Sequence, residues 1–306
     1  MSEISNGDSE LSALVIKWYQ LNGRKELPWR NNVTPYKTWI SEIMLQQTQV
    51  KTVIPFYLRF IKTYPNLKKL MLADEDQIIA LWSGLGFYRR AKNIFKAKEH
   101  IKNKFGGKFP NNYSDLVSLP GIGESTAGAI MSIAFKESHP ILDANVKRVL
   151  TRHSKIVEDS PSKKNKLLWE MSRRQTPKYN IFDYTQGIMD LGARICKPKF
   201  PLCSECPIVN ICDSAFEVTE EKPKQKLSKS KPEIDITFTL AYTDNEFLLF
   251  KRNEKTFWQG LWLPSEQPKV HRTVSYTHLR AHEPEAELGC RLLLEKKKGG
   301  GGGGGG

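Results

Sequence analysis

Four cysteines, Cys196, Cys203, Cys206 and Cys212, fall within seventeen residues in the spacing C-x6-C-x2-C-x5-C. Pro198, Pro201 and Pro207 lie among them, so this stretch must be an irregular loop rather than a helix or strand. Thiols packed this densely suit a reducing compartment, where they bind metal more often than they pair as disulfides. Cysteine-only sites hold either zinc or an iron–sulfur cluster, and the spacing leaves both open. A fifth cysteine, Cys290, lies apart and takes no role.

Upstream of this loop the apolar residues recur at helical spacing, as in Leu11, Leu14, Val15 and Trp18, or Ile40, Ile43 and Met44. The pattern predicts a mainly α fold with helices over 10–20, 36–46, 52–64, 75–83, 88–104, 113–118, 124–136, 144–153, 163–174 and 182–195. Its 306 residues suffice for two domains. With 47 Lys and Arg against 33 Asp and Glu, the net charge of +14 favours a polyanionic partner, nucleic acid first. No apolar run is long enough to cross a membrane, and Met1–Glu10 is too acidic and polar for a signal peptide. The expected location is therefore cytoplasmic, on the nucleoid, as a monomer.

The helical domain is expected over 1–215. Five lysines between Lys222 and Lys231, with Pro223 and Pro232, mark a linker over 216–233. Alternation over Ile234–Tyr242 and Glu246–Lys251 around Asp244-Asn245 then predicts a hairpin opening a β-rich domain over 234–270. The segment 271–306 has no periodicity and ends in eight glycines, Gly299–Gly306. Its stretch from Val274 to His282 resembles translated sequencing-adapter read-through, and the expectation is an artefactual tail outside the fold.

Two short motifs carry the chemistry. Leu119-Pro120-Gly121-Ile122-Gly123 lies between helical runs, where Gly121 and Gly123 permit a tight turn whose amides can meet a phosphate. The turn alone could close an ordinary helical hairpin. Downstream comes Leu142-Asp143-Ala144-Asn145-Val146-Lys147-Arg148-Val149, in which Asp143 also fits a helix N-cap. Together with the cysteine loop, the pair resembles the helix-hairpin-helix signature of the endonuclease III superfamily of DNA glycosylases. Ser41-Glu42-Ile43-Met44-Leu45-Gln46-Gln47-Thr48-Gln49-Val50 is similar to the adenine glycosylases of the MutY type, and the likeness extends over Leu11–Cys212. Ala144 where glycine is common, and Phe87 where tyrosine is frequent, depart from the family pattern without removing a reacting group.

The resemblance implies one 4Fe–4S cluster on Cys196, Cys203, Cys206 and Cys212, structural rather than catalytic. It implies Glu42 as general acid and Asp143 as the carboxylate facing the sugar. Trp29, Arg30 and Gln186 become base-reading residues, Gln47 and Phe87 fillers of the vacated base stack, and Leu85, Ser125 and Asn145 further substrate contacts. Ser125 stands where relatives that cut the backbone carry a Schiff-base lysine, which argues for a monofunctional enzyme. The substrate implied is double-stranded DNA with adenine opposite 8-oxoguanine or guanine. Phe247–Arg252 and Phe257–Pro264 resemble only the opening of a Nudix-like 8-oxoguanine-recognition domain, so weakened discrimination between the two mispairs is expected. The competing readings are an endonuclease III-type glycosylase and lyase for oxidised pyrimidines, and a noncatalytic iron–sulfur DNA-binding protein.

Overall fold

A computed structural model describes residues 9–217, 236–241, 248–252, 258 and 260–267. Almost all of the expected linker over 216–233, the Asp244-Asn245 turn and the tail over 271–306 lie outside the described residues. Eleven α-helices are described: α1 (Glu10–Asn22), α2 (Pro35–Leu45), α3 (Val50–Thr63), α4 (Leu67–Leu70), α5 (Glu75–Trp82), α6 (Arg89–Lys104), α7 (Tyr113–Ser118), α8 (Glu124–Ile130), α9 (Ala144–His153), α10 (Pro161–Gln175) and α11 (Ile181–Arg194). Their starts follow local chemistry. Ser9, Thr34, Asn66, Asn112 and Asp143 each accept a first-turn N–H through the side chain, and Asp74 with Gln77 forms a reciprocal capping box.

By its contacts the chain divides into two units, residues 1–72 with 93–225, and residues 73–92 with 226–306. In the first unit, α1, α9 and α11 bury one core around Val15, Val149, Leu150, Tyr184, Ile188 and Leu191. α2 and α3 bury Trp39, Ile40, Ile43, Val53 and Phe60. One departure from the expected pattern falls here. The helix anticipated over 124–136 stops as an α-helix at Ile130 and continues as a π-turn over Met131–Phe135, ending on Lys136 at φ 62°. A π-turn places one extra residue in the coil, which apolar spacing does not announce.

In the second unit, α5 carries the fully buried Trp82, whose indole N–H donates to the Gly86 carbonyl at 3.0 Å. Asp76 on α5 accepts from Lys251 Nζ at 2.9 Å. Four short strands are described: β1 (Thr237–Thr239) pairs antiparallel with β4 (Ser265–Gln267), and β2 (Phe250–Lys251) with β3 (Trp262–Leu263). Among the described residues the two anticipated arms share a backbone bond, Leu248 N–H to the Ala241 carbonyl at 2.9 Å, and each arm also pairs with a later strand.

Gly128 on α8 is held against the loop before α9, where a Cβ would stand 2.2 Å from the Pro140 carbonyl oxygen. The obstacle is backbone and cannot swing aside. Gly128→Ala is therefore expected to cost about 2 kcal/mol and to lower the melting temperature by about 4–8 °C; thermal denaturation followed by circular dichroism checks it.

Candidate active site

A cleft of about 190 Å³ opens in the first unit where five pieces of chain converge. The 3₁₀ turn Pro28–Arg30 gives Trp29 and Arg30, the end of α2 gives Glu42, and the first turn of α8 gives Ser125. The cap and first turn of α9 give Asp143 and Asn145, and α11 gives Gln186. Seven residues named from the sequence thus line one space. Gln46, Thr126 and Met189 join them without having been singled out.

Its two carboxyl groups sit in unequal surroundings. Burial pushes the Glu42 carboxyl up to about 7, and the charge of Asp143 adds to that while Arg30 opposes it. Burial also raises Asp143, but Asp143 has hydrogen-bond donors for its ionised form. Val146 N–H reaches Oδ1 at 2.8 Å as the helix cap, and the Asn145 amide reaches Oδ2 at 3.1 Å. Burial and the charge of Asp143 favour the proton on Glu42, while the hydrogen bonds to Asp143 favour its anion, which is how neighbouring carboxyls are divided into acid and anion.

Several side chains hold this geometry. The Ser125 hydroxyl accepts from Leu142 N–H at 2.9 Å, fixing the residue before Asp143. Asn145 Oδ1 accepts from Arg148 Nη2 at 2.8 Å, and Arg148 Nε donates to the Cys196 carbonyl at 2.7 Å. Asp143 is in this way tied, through Asn145 and Arg148, to the start of the cysteine loop. Arg30 lines the cleft and also joins a buried ion pair. Its Nη1 and Nη2 donate to the fully buried Asp190 at 2.7 and 2.8 Å, which fixes the guanidinium in the cleft wall.

Neither Asp190 nor Arg148 was anticipated. A carboxylate in the apolar run Gly187-Ile188-Met189-Asp190-Leu191 is the signal that would have pointed to a buried ion pair. Gln47 is not among the cleft-lining residues; it is exposed at φ 55° just beyond α2. In the second unit, Phe87 is likewise left-handed, at φ 51°, and 55% exposed, whereas Leu85 is buried. Gly121 turns at φ 83°, and a Cβ there would meet Asn93 Cβ at 2.7 Å. Gly123 caps α8 and has no side chain to occupy the first-turn N–H groups.

The four cysteines line a separate cavity with Ile195, Leu202 and Ile208. Arg152 binds this loop, donating to the Lys197 and Pro198 carbonyls at 2.6 and 3.0 Å and to Cys196 Sγ at 3.4 Å. Burial pushes the Cys206 thiol up to about 11, and the other three sulfurs add to it. Among the described residues, no three His, Cys, Asp or Glu side chains close on a point suited to a single ion.

Residues 40–174 match the family described as HhH-GPD superfamily base excision DNA repair protein. The chain is 46% identical over 262 residues to the adenine DNA glycosylase of Buchnera aphidicola subsp. Schizaphis graminum, covering 85% of this chain and 76% of that protein. The human adenine DNA glycosylase is 36% identical over 218 residues, 68% of this chain and 40% of the human one. Among solved structures, a thermostable thymine-DNA glycosylase superposes with TM-score 0.62 at 27% identity, over 68% of this chain and 96% of that one. An endonuclease III in a noncovalent DNA complex shares the fold, with TM-score 0.57 at 21% identity, over 68% of this chain and 94% of the other.

A carboxyl raised by burial stabilises the fold below its unfolded value, and that contribution is lost as pH rises through its folded value near 7. Glu42→Gln removes the cost of burying the charge. The variant is expected to be more stable than the parent by about 3 kcal/mol at pH 8, with the gap closing toward pH 4; urea unfolding at both pH values measures it.

Proposed function

The chain belongs to the adenine DNA glycosylases of the HhH-GPD superfamily, and from that premise we propose that it hydrolyses the N-glycosidic bond of adenine opposite 8-oxoguanine or guanine in double-stranded DNA. The observation that carries this reading is the pair of carboxyl groups in one cleft, Glu42 raised by burial to about 7 and Asp143 held by hydrogen bonds from Val146 N–H and the Asn145 amide. Adenine inside a duplex is out of reach, so it must first leave the stack, at a cost of about a few kcal/mol that is least for a mispaired base. Gln47 and Phe87, exposed on left-handed backbone, suit the filling of the gap it leaves.

In the cleft, Trp29 offers an apolar wall and Gln186 an amide whose donor and acceptor suit the edge of adenine. Glu42, neutral at working pH, donates its proton to adenine N7, so the base leaves without carrying the full negative charge. The charge of Asp143 faces the cationic sugar that results, as an ion pair or a transient ester, and water completes hydrolysis. No lysine lines the cleft among the described residues, and Ser125 is engaged with Leu142. Both features favour hydrolysis over Schiff-base chemistry. Gly121 gives the hairpin its left-handed turn against Asn93, and Gly123, with open space where a Cβ would stand, leaves the backbone at the start of α8 open to a DNA phosphate.

Cys196, Cys203, Cys206 and Cys212 fit a 4Fe–4S cluster. Of the ligating residue types only these four thiols border their cavity, a donor set that suits an iron–sulfur cluster. The cluster supplies cross-linking of the loop and no catalytic step. Arg148 and Arg152 hold the loop to α9 from the other side.

Duplexes carrying one adenine opposite 8-oxoguanine should give strand breaks at that adenine only after alkali, and Glu42→Gln should lower the single-turnover rate by at least about 100-fold. Breaks without alkali point instead to a lyase. The rate of the parent should fall as pH rises through about 7, because the protonated form of Glu42 is the active one. It should also fall at the acid end as Asp143, whose carboxyl burial raises from its ordinary value, is neutralised. Separately, Cys206→Ser should lose iron and the visible absorbance of the cluster and lower DNA affinity, as elemental analysis and a binding titration report.

A further inference from the structure

A second cavity, of about 470 Å³, lies between α9 and α10; it shares no residue with the catalytic cleft, while Arg152 and Pro198 connect it to the cysteine loop. Lys147, Arg148 and Arg152 border it on α9, Lys164 and Asn165 on α10, with the buried Leu168 also lining it. Four cations and no carboxylate border this space. Arg148 and Arg152 have their guanidinium groups committed to carbonyls of the cysteine loop, so they act as fixed charges. The two lysines are the adjustable members. Lys147 Nζ donates to Asn165 Oδ1 at 2.7 Å, and Lys164 has no partner among the described residues. The start of α10, where Ser160 makes no side-chain cap, adds its own partial positive charge.

Like charges gathered without a counter-charge repel one another, and a bound anion relieves that. We propose that this cavity is a phosphate site whose occupant is a backbone phosphate of the DNA strand that delivers its base to the catalytic cleft. Lys147 follows Asp143 by four residues, one turn or about 6 Å along α9. A strand with one nucleotide drawn into the cleft beside Asp143 must pass close to that turn. Two lysines on separate helices can close on one phosphate from two sides. Free phosphate has the same chemistry, so the occupant is a matter for experiment. The inference rests on the glycosylase reading.

The test uses the full chain and a duplex with an uncleavable adenine analogue opposite 8-oxoguanine, titrated at several salt concentrations. Lys147→Ala with Lys164→Ala should weaken binding about tenfold and make the slope of log affinity against log salt shallower by about one. On the matching duplex with ordinary adenine, single-turnover excision at saturating enzyme should stay within about twofold of the parent, because neither lysine lines the cleft. Lys17→Ala, an exposed charge outside the cavity, should leave the slope unchanged. Equal affinity and slope for the double variant and the parent would overturn the proposal. So would binding of inorganic phosphate, followed by 31P NMR, that the double variant abolishes while DNA affinity is unchanged, since the cavity would then serve a free anion. A parent that neither binds the duplex nor excises adenine sinks the glycosylase reading itself, and the DNA occupant with it.

Discussion

Asp190 has no exposed surface and is met by two guanidinium groups, those of Arg24 and Arg30. Burial alone would push its carboxyl up, yet the two arginines outweigh that and hold it below the usual carboxylate range. One charge on α11 thereby fastens the segment between α1 and α2, including the 3₁₀ turn that carries Trp29 and Arg30 into the cleft. Such a triad contributes little net stability against an apolar replacement, but removing one member strands the others, at about 3–5 kcal/mol. Its value lies in definition. The cleft wall has one position because two cations share one anion.

A comparable economy governs the opposite wall. Asp143 begins α9 as its cap, and the same helix sends Arg148 and Arg152 to the backbone of the cysteine loop. Gly192 on α11 lies so close that a Cβ would stand 2.7 Å from Asn145 Cβ, which fixes α9 against α11 at the height of the site. Loop, helix and acid therefore move as one body. A loosened cysteine loop is felt at Asp143 through two side chains, with no contact between the loop and the cleft.

Much of this was legible in the sequence where local rules are strong. The helices fell within a few residues of their expected bounds, because Ser, Thr, Asn and Asp caps and apolar spacing act over short range. The short α4 escaped, four residues being too few to show a period. The cleft was legible through residues whose chemistry is tied to motif position, such as Glu42 and Asp143. What stayed hidden depends on distant pairing. Nothing near Asp190 in the chain says that Arg24 and Arg30 will meet it more than 150 residues away. For the same reason the ion pair that fixes Arg30 in the cleft wall was not foreseen. The strand arms after residue 236 alternate as a hairpin should, while the pairing of β1 with β4 and of β2 with β3 joins them to later strands that the local pattern could not rank.

The two carboxyl groups stand in opposite relation to the fold, and that bears on how lineages of this chain would decay if selection for repair were relaxed. Asp143 keeps α9 capped whether or not any base is ever excised, so folding alone would retain it in an inactive descendant. Glu42 gives the fold nothing comparable and strains it when ionised, so drift would discard it early. Among relatives of uncertain status, a glutamate at the position of Glu42 is therefore the informative mark of a working enzyme, and an aspartate at the position of Asp143 is not.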